Sequence, residues 1–366
     1  MNRTSSLKAA ENIERVVRPS RSELEGLIYE QRPVIVNGLF GGQPICRMSD
    51  AEEARARLAA LRLRFRPEYS FNSFQAYRQG PGAGATEMTL AEYLDLKARQ
   101  PETPLLCLEE PTPDALLTLF SLGDYAEINA ADGDRVVSRC FVGHAGNSSN
   151  LHYDRDYHAT LLYQVFGRKR VLLISPRESH KLRPVMNFSE YLLSNFSPSD
   201  VEAFVGYTNG YYAVLDAGEA LLIPTAFWHH VEYADDAMSV NFKLRRHRYL
   251  RLLGGGLFHS NYVVQGLATK FLRREQVEAE HADAFDRILA VYTAGGLTPF
   301  EKFDALDELF RELYATLCAD FPQRPYFSSM LGVKEADLWR GRLEGGSLYA
   351  DPGAFRGVVA GEERSR

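Results

Sequence analysis

Three pairs of histidine and carboxylate residues are spaced so that one metal ion could bind both members. In each pair the two residues stand two positions apart, and the pairs are His152/Asp154, His230/Glu232 and His281/Asp283. With nine histidines and 48 acidic residues in 366, about one such pair is expected by chance. Spacing alone is therefore weak evidence for a metal site.

Local structure separates the pairs. His281 and Asp283 lie in the helical pattern VEAEHADAFDRIL, where residues two apart point to nearly opposite sides. His152 and Asp154 lie in an extended segment, where residues two apart share a face at roughly 6–7 Å along the strand. Both can then reach one ion through bonds of about 2 Å.

A third ligand is available in the segment LLIPTAFWHHVEY. His229 and His230 are adjacent on a predicted strand, so they point to opposite faces and only one of them can join the site. Two histidines and one carboxylate form the facial triad of non-haem Fe(II) oxygenases. The alternative is an ordinary β-barrel whose surface histidines are incidental.

A lysine follows a Gly-Arg turn just after the first pair. Lys169, Val171 and Leu173 share one face of the next predicted strand. A lysine on an apolar face costs several kcal/mol unless an anion meets it. Lys169 could bind a carboxylate of a small cosubstrate. Alternatively, Lys169 points outward along the surface and Arg170 points inward.

The elements that would position these residues are mostly strands. From about residue 135 to 250, short apolar runs alternate with Gly, Asn and Asp turns, which predicts a sandwich or barrel. Strands are also predicted at 32–40 and 103–111, and helices at 49–64 and 88–98. Three capping boxes mark helix starts: Ser20/Glu23, Thr89/Glu92 and Thr298/Glu301. The last of these opens a helix with a wide apolar stripe that includes Phe303, Leu306, Phe310 and Leu313.

Composition argues against a protein that binds nucleic acid or membranes and against a secreted one. A formal net charge of -6 gives no attraction to nucleic acid or to an anionic membrane. The four cysteines are scattered without a CxxC pair, which favours a reducing compartment. The N-terminus has no apolar core of signal-peptide type, so we expect a cytoplasmic protein.

Five segments together resemble a known family: RPVIVNG, SSNLHYD, LLYQVFGRKRVLLISP, GEALLIPTAFWHHVE and VNF. They are similar to the Jumonji-C, or cupin-like, Fe(II)- and 2-oxoglutarate-dependent oxygenases, in particular to the small hydroxylase branch that includes the asparaginyl hydroxylase of hypoxia-inducible factor. The resemblance covers roughly residues 19 to 245. It implies a double-stranded β-helix barrel (cupin or jelly roll), mainly β, with N-terminal and C-terminal helices added. We expect an oxygenase domain over 1–250, with its barrel core at about 135–250, and a helical region over 251–366.

The resemblance also implies roles for individual residues. The metal ligands are His152, Asp154 and His229, because the distal histidine of the family stands five residues after a proline, here Pro224. Lys169 corresponds to the residue that pairs with the far carboxylate of 2-oxoglutarate.

Four more positions match the family less directly. Ser149 takes a hydroxyl position that assists the first ligand, and Asn241 matches an asparagine of the cosubstrate pocket. Thr160 stands where many relatives have another asparagine. Cys107 lies where some relatives place a tyrosine against the cosubstrate carboxylate, which predicts weaker 2-oxoglutarate binding.

The implied activity is hydroxylation of a C–H bond with Fe(II), 2-oxoglutarate and molecular oxygen. We expect a peptide or protein side chain as the substrate. The alternatives are hydroxylation of a small metabolite, or a metal-binding cupin that acts as an interaction module without turning over 2-oxoglutarate. The long, strand-poor segment 181–212 is inserted between predicted barrel strands and carries seven aromatics that could line a substrate groove or close a lid over a compact metabolite. The seven are Phe188, Tyr191, Phe196, Phe204, Tyr207, Tyr211 and Tyr212, and some of them must belong to the core. The C-terminal stripe and the family both predict a homodimer.

Overall fold

The structure is a computed structural model, and it describes residues 12–48, 51–67, 84–101, 103–132, 136–185, 187–189, 191–245, 262–271, 277 and 279–321. The strands are β1 (Glu14–Val17), β2 (Val34–Asn37), β3 (Arg62–Pro67), β4 (Thr86–Thr89), β5 (Leu105–Pro111), β6 (Val137–Gly143), β7 (Ala159–Phe166), β8 (Lys169–Ile174), β9 (Pro184–Val185), β10 (Phe188–Ser189), β11 (Tyr211–Leu215), β12 (Glu219–Ile223), β13 (Trp228–Tyr233) and β14 (Ala237–Leu244).

The strands form two main sheets. The larger sheet has the order β1-β2-β12-β7-β14-β6-β5-β3-β4, and the smaller one has the order β11-β8-β13, with the short pair β10-β9 beside it. The pairings are antiparallel except for β1 with β2. Consecutive strands β7 and β8 lie in different sheets, as do β12 and β13. This arrangement confirms the predicted cupin or jelly-roll fold with helical additions.

The two sheets enclose an apolar interior. The larger sheet contributes Leu162 and Leu221, and the smaller sheet contributes Val171, Leu173 and Ala213 to the same buried cluster. In β8 the alternation places the side chains of Lys169, Val171 and Leu173 on this inward face, as predicted.

The turn before β8 requires a glycine. Gly167 has φ +66°, and a Cβ at this position would stand 2.2 Å from the carbonyl oxygen of Asp236. Any other residue would force the turn apart. The turn fixes Lys169 as the first residue of β8, opposite Tyr233 of β13.

Among the described residues the helices are α1 (Arg21–Tyr29), α2 (Ala51–Leu58), α3 (Leu90–Arg99), α4 (Asp114–Leu117), α5 (Pro198–Tyr207), α6 (Tyr262–Lys270), α7 (Ala282–Thr293) and α8 (Pro299–Leu317), with 3₁₀ segments at Pro44–Arg47, Gly123–Asp132, Pro176–Lys181 and Leu193–Asn195. All three predicted capping boxes form, at the starts of α1, α3 and α8. No helix of the described ranges is long and apolar enough to cross a membrane.

The N-terminal helices cover the outer face of the larger sheet. Leu24 and Ile28 of α1 pack in one buried cluster with Leu161 and Tyr163 of β7 and Phe242 of β14. Strand β7 is therefore buried on both faces, which explains why its sequence ATLLYQVF is almost continuously apolar.

The C-terminal helices cover the outer face of the smaller sheet. Leu306, Phe310 and Leu313 of α8 lie in one buried cluster with Leu172 of β8 and Trp228 of β13. The predicted apolar stripe is thus used inside the chain, although the side chain of Phe303 lies outside the described part. The stripe no longer requires a partner chain, and the homodimer stays a prediction. The predicted division of the chain near residue 250 is also untested, but a shared core links its two parts.

One prediction about local structure is wrong in its extent. The helix expected over 49–64 ends at Leu58, because Leu63 and Phe65 alternate with exposed arginines as in a half-buried strand. Residues 49 and 50 lie outside the described part.

The segment 181–212 contains the two-residue strands β9 and β10 and the helix α5. Most of its aromatics do not line a groove: Tyr191, Phe196, Phe204 and Tyr212 are buried in the cluster under the C-terminal helices. Tyr207 and Tyr211 pack half-buried against the cores. Phe188 alone among the seven predicted aromatics lines the central cavity described below.

Candidate metal centre

The three predicted ligands converge between the two sheets. The backbone of His152 pairs with that of His229, through hydrogen bonds of 3.1 Å and 2.6 Å, so the loop before β7 is fastened to β13. One ligand atom from each of His152, Asp154 and His229 lies within 4.8 Å of the others. Oδ1 of Asp154 stands 3.7 Å from Nε2 of each histidine. Of the described residues, these form a group that can share one metal ion.

Both imidazole rings are oriented by backbone carbonyls. Nδ1 of His152 donates to the carbonyl of Asn150 at 2.7 Å, and Nδ1 of His229 donates to that of Phe227 at 3.1 Å. A carbonyl can only accept, so Nδ1 carries the proton and Nε2 of the neutral ring keeps its lone pair. Hydrogen bonds of this kind fix metal-ligating histidines.

His230 points to the opposite face of β13, as strand alternation predicts. Its Nδ1 donates to the carbonyl of Ser149 at 2.6 Å, and its side chain lines a separate, smaller cavity with Arg170 and Glu232. Arg170 and Glu232 are ion-paired there at 2.9 Å. The alternative in which Arg170 rather than Lys169 points inward is therefore wrong.

Ser149 fastens the first-ligand loop to the strand of the third ligand. Its amide donates to the carbonyl of Val231 at 2.8 Å, and its Oγ accepts from the amide of Val231 at 2.9 Å. Ser149 also lines the central cavity. The contacts support a positioning role for this hydroxyl.

The triad opens into a cavity of about 390 Å³ between the sheets. Lys169, Thr160 and Asn241 all line this cavity, on β8, β7 and β14. Thr160 is buried, and Oδ1 of Asn241 is buried without a hydrogen-bond partner among the described residues. The structure thus brings the predicted cosubstrate residues into the same space as the metal ligands.

Lys169 is a buried cation. Its Nζ donates to Oγ of Ser239 at 2.6 Å and lies 4.3 Å from the ring centroid of Tyr233. No carboxylate of the described residues lies within ion-pairing distance of it. Burial lowers the pKa of Lys169 to about 7, because the charged form is stripped of water. An anion in the cavity would restore the charged form.

Cys107 does not face the cavity as expected. Its side chain is buried in the N-terminal core, with Sγ 3.8 Å from the carbonyl of Cys140. Its neighbours Leu106 and Leu108 line the cavity instead, since residues alternate along β5. Cys107 therefore gives no reason to expect weaker 2-oxoglutarate binding.

Lys243 is a second lysine of the cavity, and it was not among the residues predicted from the sequence. Nζ of Lys243 is ion-paired with Oδ2 of Asp154, and lies 3.4 Å from Oδ2 of Asp156. A signal was present: Lys243 stands two residues after Asn241 on a predicted strand and so shares its face.

The charges of the site suit metal binding at neutral pH. Burial alone would raise the pKa of Asp154, but the charge of Lys243 outweighs burial and holds it far below its usual range. Burial lowers the pKa of His229 to about 4. Asp154 is therefore an anion and His229 a neutral imidazole, which are the protonation states that metal ligands need.

Comparison with known proteins agrees with this geometry. A family model described as a cupin-like domain matches residues 19–244, which is more than half of the chain. The chain therefore belongs to the cupin-like, JmjC-type domain family.

Curated relatives include Jumonji C domain-containing protein 5 of Drosophila melanogaster, 33% identical over 135 residues, or 35% of this chain and 33% of that protein. Lysine-specific demethylase 8 of Xenopus tropicalis is 32% identical over 126 residues, or 32% of this chain and 27% of that protein. JmjC domain-containing protein D of Dictyostelium discoideum is 36% identical over 114 residues, or 29% of this chain and 25% of that protein. The matched part of the chain thus spans a third or less of each relative.

The residues fit the groups that this family typically uses, Fe(II) and 2-oxoglutarate. Two neutral imidazoles and one carboxylate on one side of an ion are the donor set of non-haem Fe(II) oxygenases. The buried Nζ of Lys169 provides a hydrogen-bond and charge partner for a small dicarboxylate in the same cavity, which Asn241 also lines.

Proposed function

We propose that this protein is an Fe(II)- and 2-oxoglutarate-dependent oxygenase that hydroxylates a C–H bond, on a peptide or protein side chain. The observation that carries the proposal is the pairing of two features in one cavity: a His-Asp-His group and a buried lysine with no acidic partner among the described residues. A structural cation would have an acidic partner, because an unpaired buried charge costs several kcal/mol.

The side chains of the cavity have separate roles in this reaction. His152, Asp154 and His229 would hold the metal at the wall of the cavity. Lys169 would pair with the far carboxylate of the cosubstrate and so orient it within the cavity. When bound, Fe(II) and 2-oxoglutarate together supply the oxidising chemistry that places one oxygen atom of O₂ on the substrate. The apolar walls, such as Leu162 and Ile223, exclude water from the site.

The choice of a peptide substrate is supported by similarity. One relative is named as a lysine-specific demethylase, which is an activity toward amino-acid side chains, and others carry JmjC names. The predicted aromatic groove contributes only Phe188. Polar side chains of the cavity wall include Asn150, Arg155 and Asn187.

The test is a search for the oxidised product. The protein is incubated with lysate peptides, Fe(II) and 2-oxoglutarate, and mass spectrometry is used to find peptides that gain one oxygen. The Asp154→Ala variant is the matched control. We expect oxygen gain only with the wild type. Loss of a methyl group from peptides would instead indicate a demethylase, and oxidation of free amino acids or metabolites alone would overturn the peptide assignment.

A further inference from the structure

The two oxygens of Asp154 have different neighbours. Oδ1 faces Nε2 of both His152 and His229, at 3.7 Å from each. Oδ2 is ion-paired with Nζ of Lys243. One oxygen thus points to the position that a metal would take, and the other is held from behind by a buried ammonium.

Lys243 is itself held in place. The residue is 8% exposed, and its side chain leaves β14 on the cavity face. Oδ2 of Asp156 stands 3.4 Å from its Nζ, on the same loop as Asp154, and Asp156 is in turn 3.3 Å from Nδ1 of His158. The ammonium therefore bridges two carboxylates two residues apart in sequence.

We propose that Lys243 is a positioning residue that keeps Asp154 a one-oxygen ligand, with Oδ1 directed at the metal. The inference rests on the metal site of the proposed function, but not on turnover. Without Lys243, Asp154 can rotate or offer both oxygens, and the arrangement of the three donors is lost. Hydrogen-bonding partners of metal-ligating carboxylates contribute strongly to metal affinity.

A competing effect has the opposite sign. An ammonium near a divalent cation repels it, so a lysine without a positioning role would weaken metal binding, and its removal would tighten it. Asp156 reduces this repulsion, because the pair it forms with Lys243 has little net charge. Positioning therefore dominates, and the sign of the affinity change separates the two effects.

The experiment measures Mn(II) affinity by titration calorimetry, without 2-oxoglutarate and without turnover. Lys243→Met should bind Mn(II) about 10- to 100-fold more weakly than the wild type. Lys169→Met removes the other buried cavity lysine, which does not touch Asp154, and should bind Mn(II) as tightly as the wild type or slightly more tightly. Equal or tighter binding by Lys243→Met would overturn the proposal.

Folding is controlled with a second variant. Lys243→Gln keeps a polar side chain that ends one atom short of the ammonium, so it should also bind Mn(II) more weakly while unfolding near the wild-type temperature. If neither variant folds, a structural role suffices and the proposal is overturned.

The proposed function fails separately. If the wild type binds Mn(II) and the Lys243 variants bind it weakly, but no 2-oxoglutarate is consumed, the positioning role stands without the oxygenase. A wild type that binds no divalent metal would overturn both.

Discussion

Replacing Lys169 with methionine should separate cosubstrate binding from metal binding. Methionine fills a similar space in the cavity but carries no charge. Removing one member of a buried ion pair costs about 2–5 kcal/mol, and about 1.4 kcal/mol corresponds to a tenfold change in affinity. The affinity for 2-oxoglutarate should therefore fall by roughly 30-fold to several thousand-fold.

Two nearby cations of the described residues are already paired, so they could take over only by giving up their partners. Lys243 is engaged by Asp154, and Arg170 is ion-paired with Glu232 on the other face of β8. The assay is calorimetric titration of 2-oxoglutarate into Mn(II)-loaded protein. Ser239→Ala is the matched control, since it removes only the 2.6 Å hydrogen bond to Nζ and should cost less than about tenfold.

Lys169→Met should also be more stable to unfolding than the wild type when no ligand is bound. Burial lowers the pKa of Lys169 to about 7, while the unfolded chain keeps the ordinary value of 10.5. Between these values the unfolded state binds more protons, so wild-type stability rises with pH through this window and is lowest below it. Lys169→Met lacks this rise.

Urea unfolding at about pH 6 and about pH 9 tests this difference. The free energy of unfolding of Lys169→Met should exceed that of the wild type at about pH 6, and by less at about pH 9.

The binding prediction is contradicted if Lys169→Met binds 2-oxoglutarate as tightly as the wild type, because another group must then hold the carboxylate.

Four further results are expected. His229→Ala should abolish iron-dependent consumption of 2-oxoglutarate while His230→Ala keeps most of it, and the reverse pattern would contradict the ligand assignment. Above about pH 7, 2-oxoglutarate affinity should fall by up to tenfold per pH unit as Lys169 loses its proton, whereas a flat calorimetric profile would argue against that cation. Phe310→Ala should lower the free energy of unfolding by about 3–5 kcal/mol in urea titrations, since the ring is buried between the C-terminal helices and the sheet. Light scattering should give a dimer of the 41.2 kDa chain, and a monomer would refute the homodimer.

The sequence was sufficient for the parts of the site that depend on local alternation. Side chains alternate along a strand, and this alternation predicts that His152 and Asp154 share one face and that His229 and His230 point to opposite faces. It also allows Lys169 to point into the cavity, as it does. The capping boxes were equally readable, because each is a contact between residues three apart.

Long-range pairing could not be read in the same way. The ion pair between Lys243 and Asp154 joins residues 89 apart, and only the sheet order β7-β14 brings them together. The side of β5 on which Cys107 lies depends on the register between β5 and β6, which shifts between Cys107 and Glu110. The sequence does not distinguish groove from core for the aromatics of 181–212, because the C-terminal helices that cover most of them are distant in the chain.

The central claim is that the triad and Lys169 serve one reaction, and succinate formation tests it most directly. Purified protein with Fe(II), 2-oxoglutarate and oxygen is followed by NMR, beside Asp154→Ala and Lys169→Met. We predict succinate from the wild type, none from Asp154→Ala, and from Lys169→Met only at a greatly raised 2-oxoglutarate concentration. Metal binding without succinate formation, with and without lysate peptides present, would contradict the claim and favour a metal-binding interaction module.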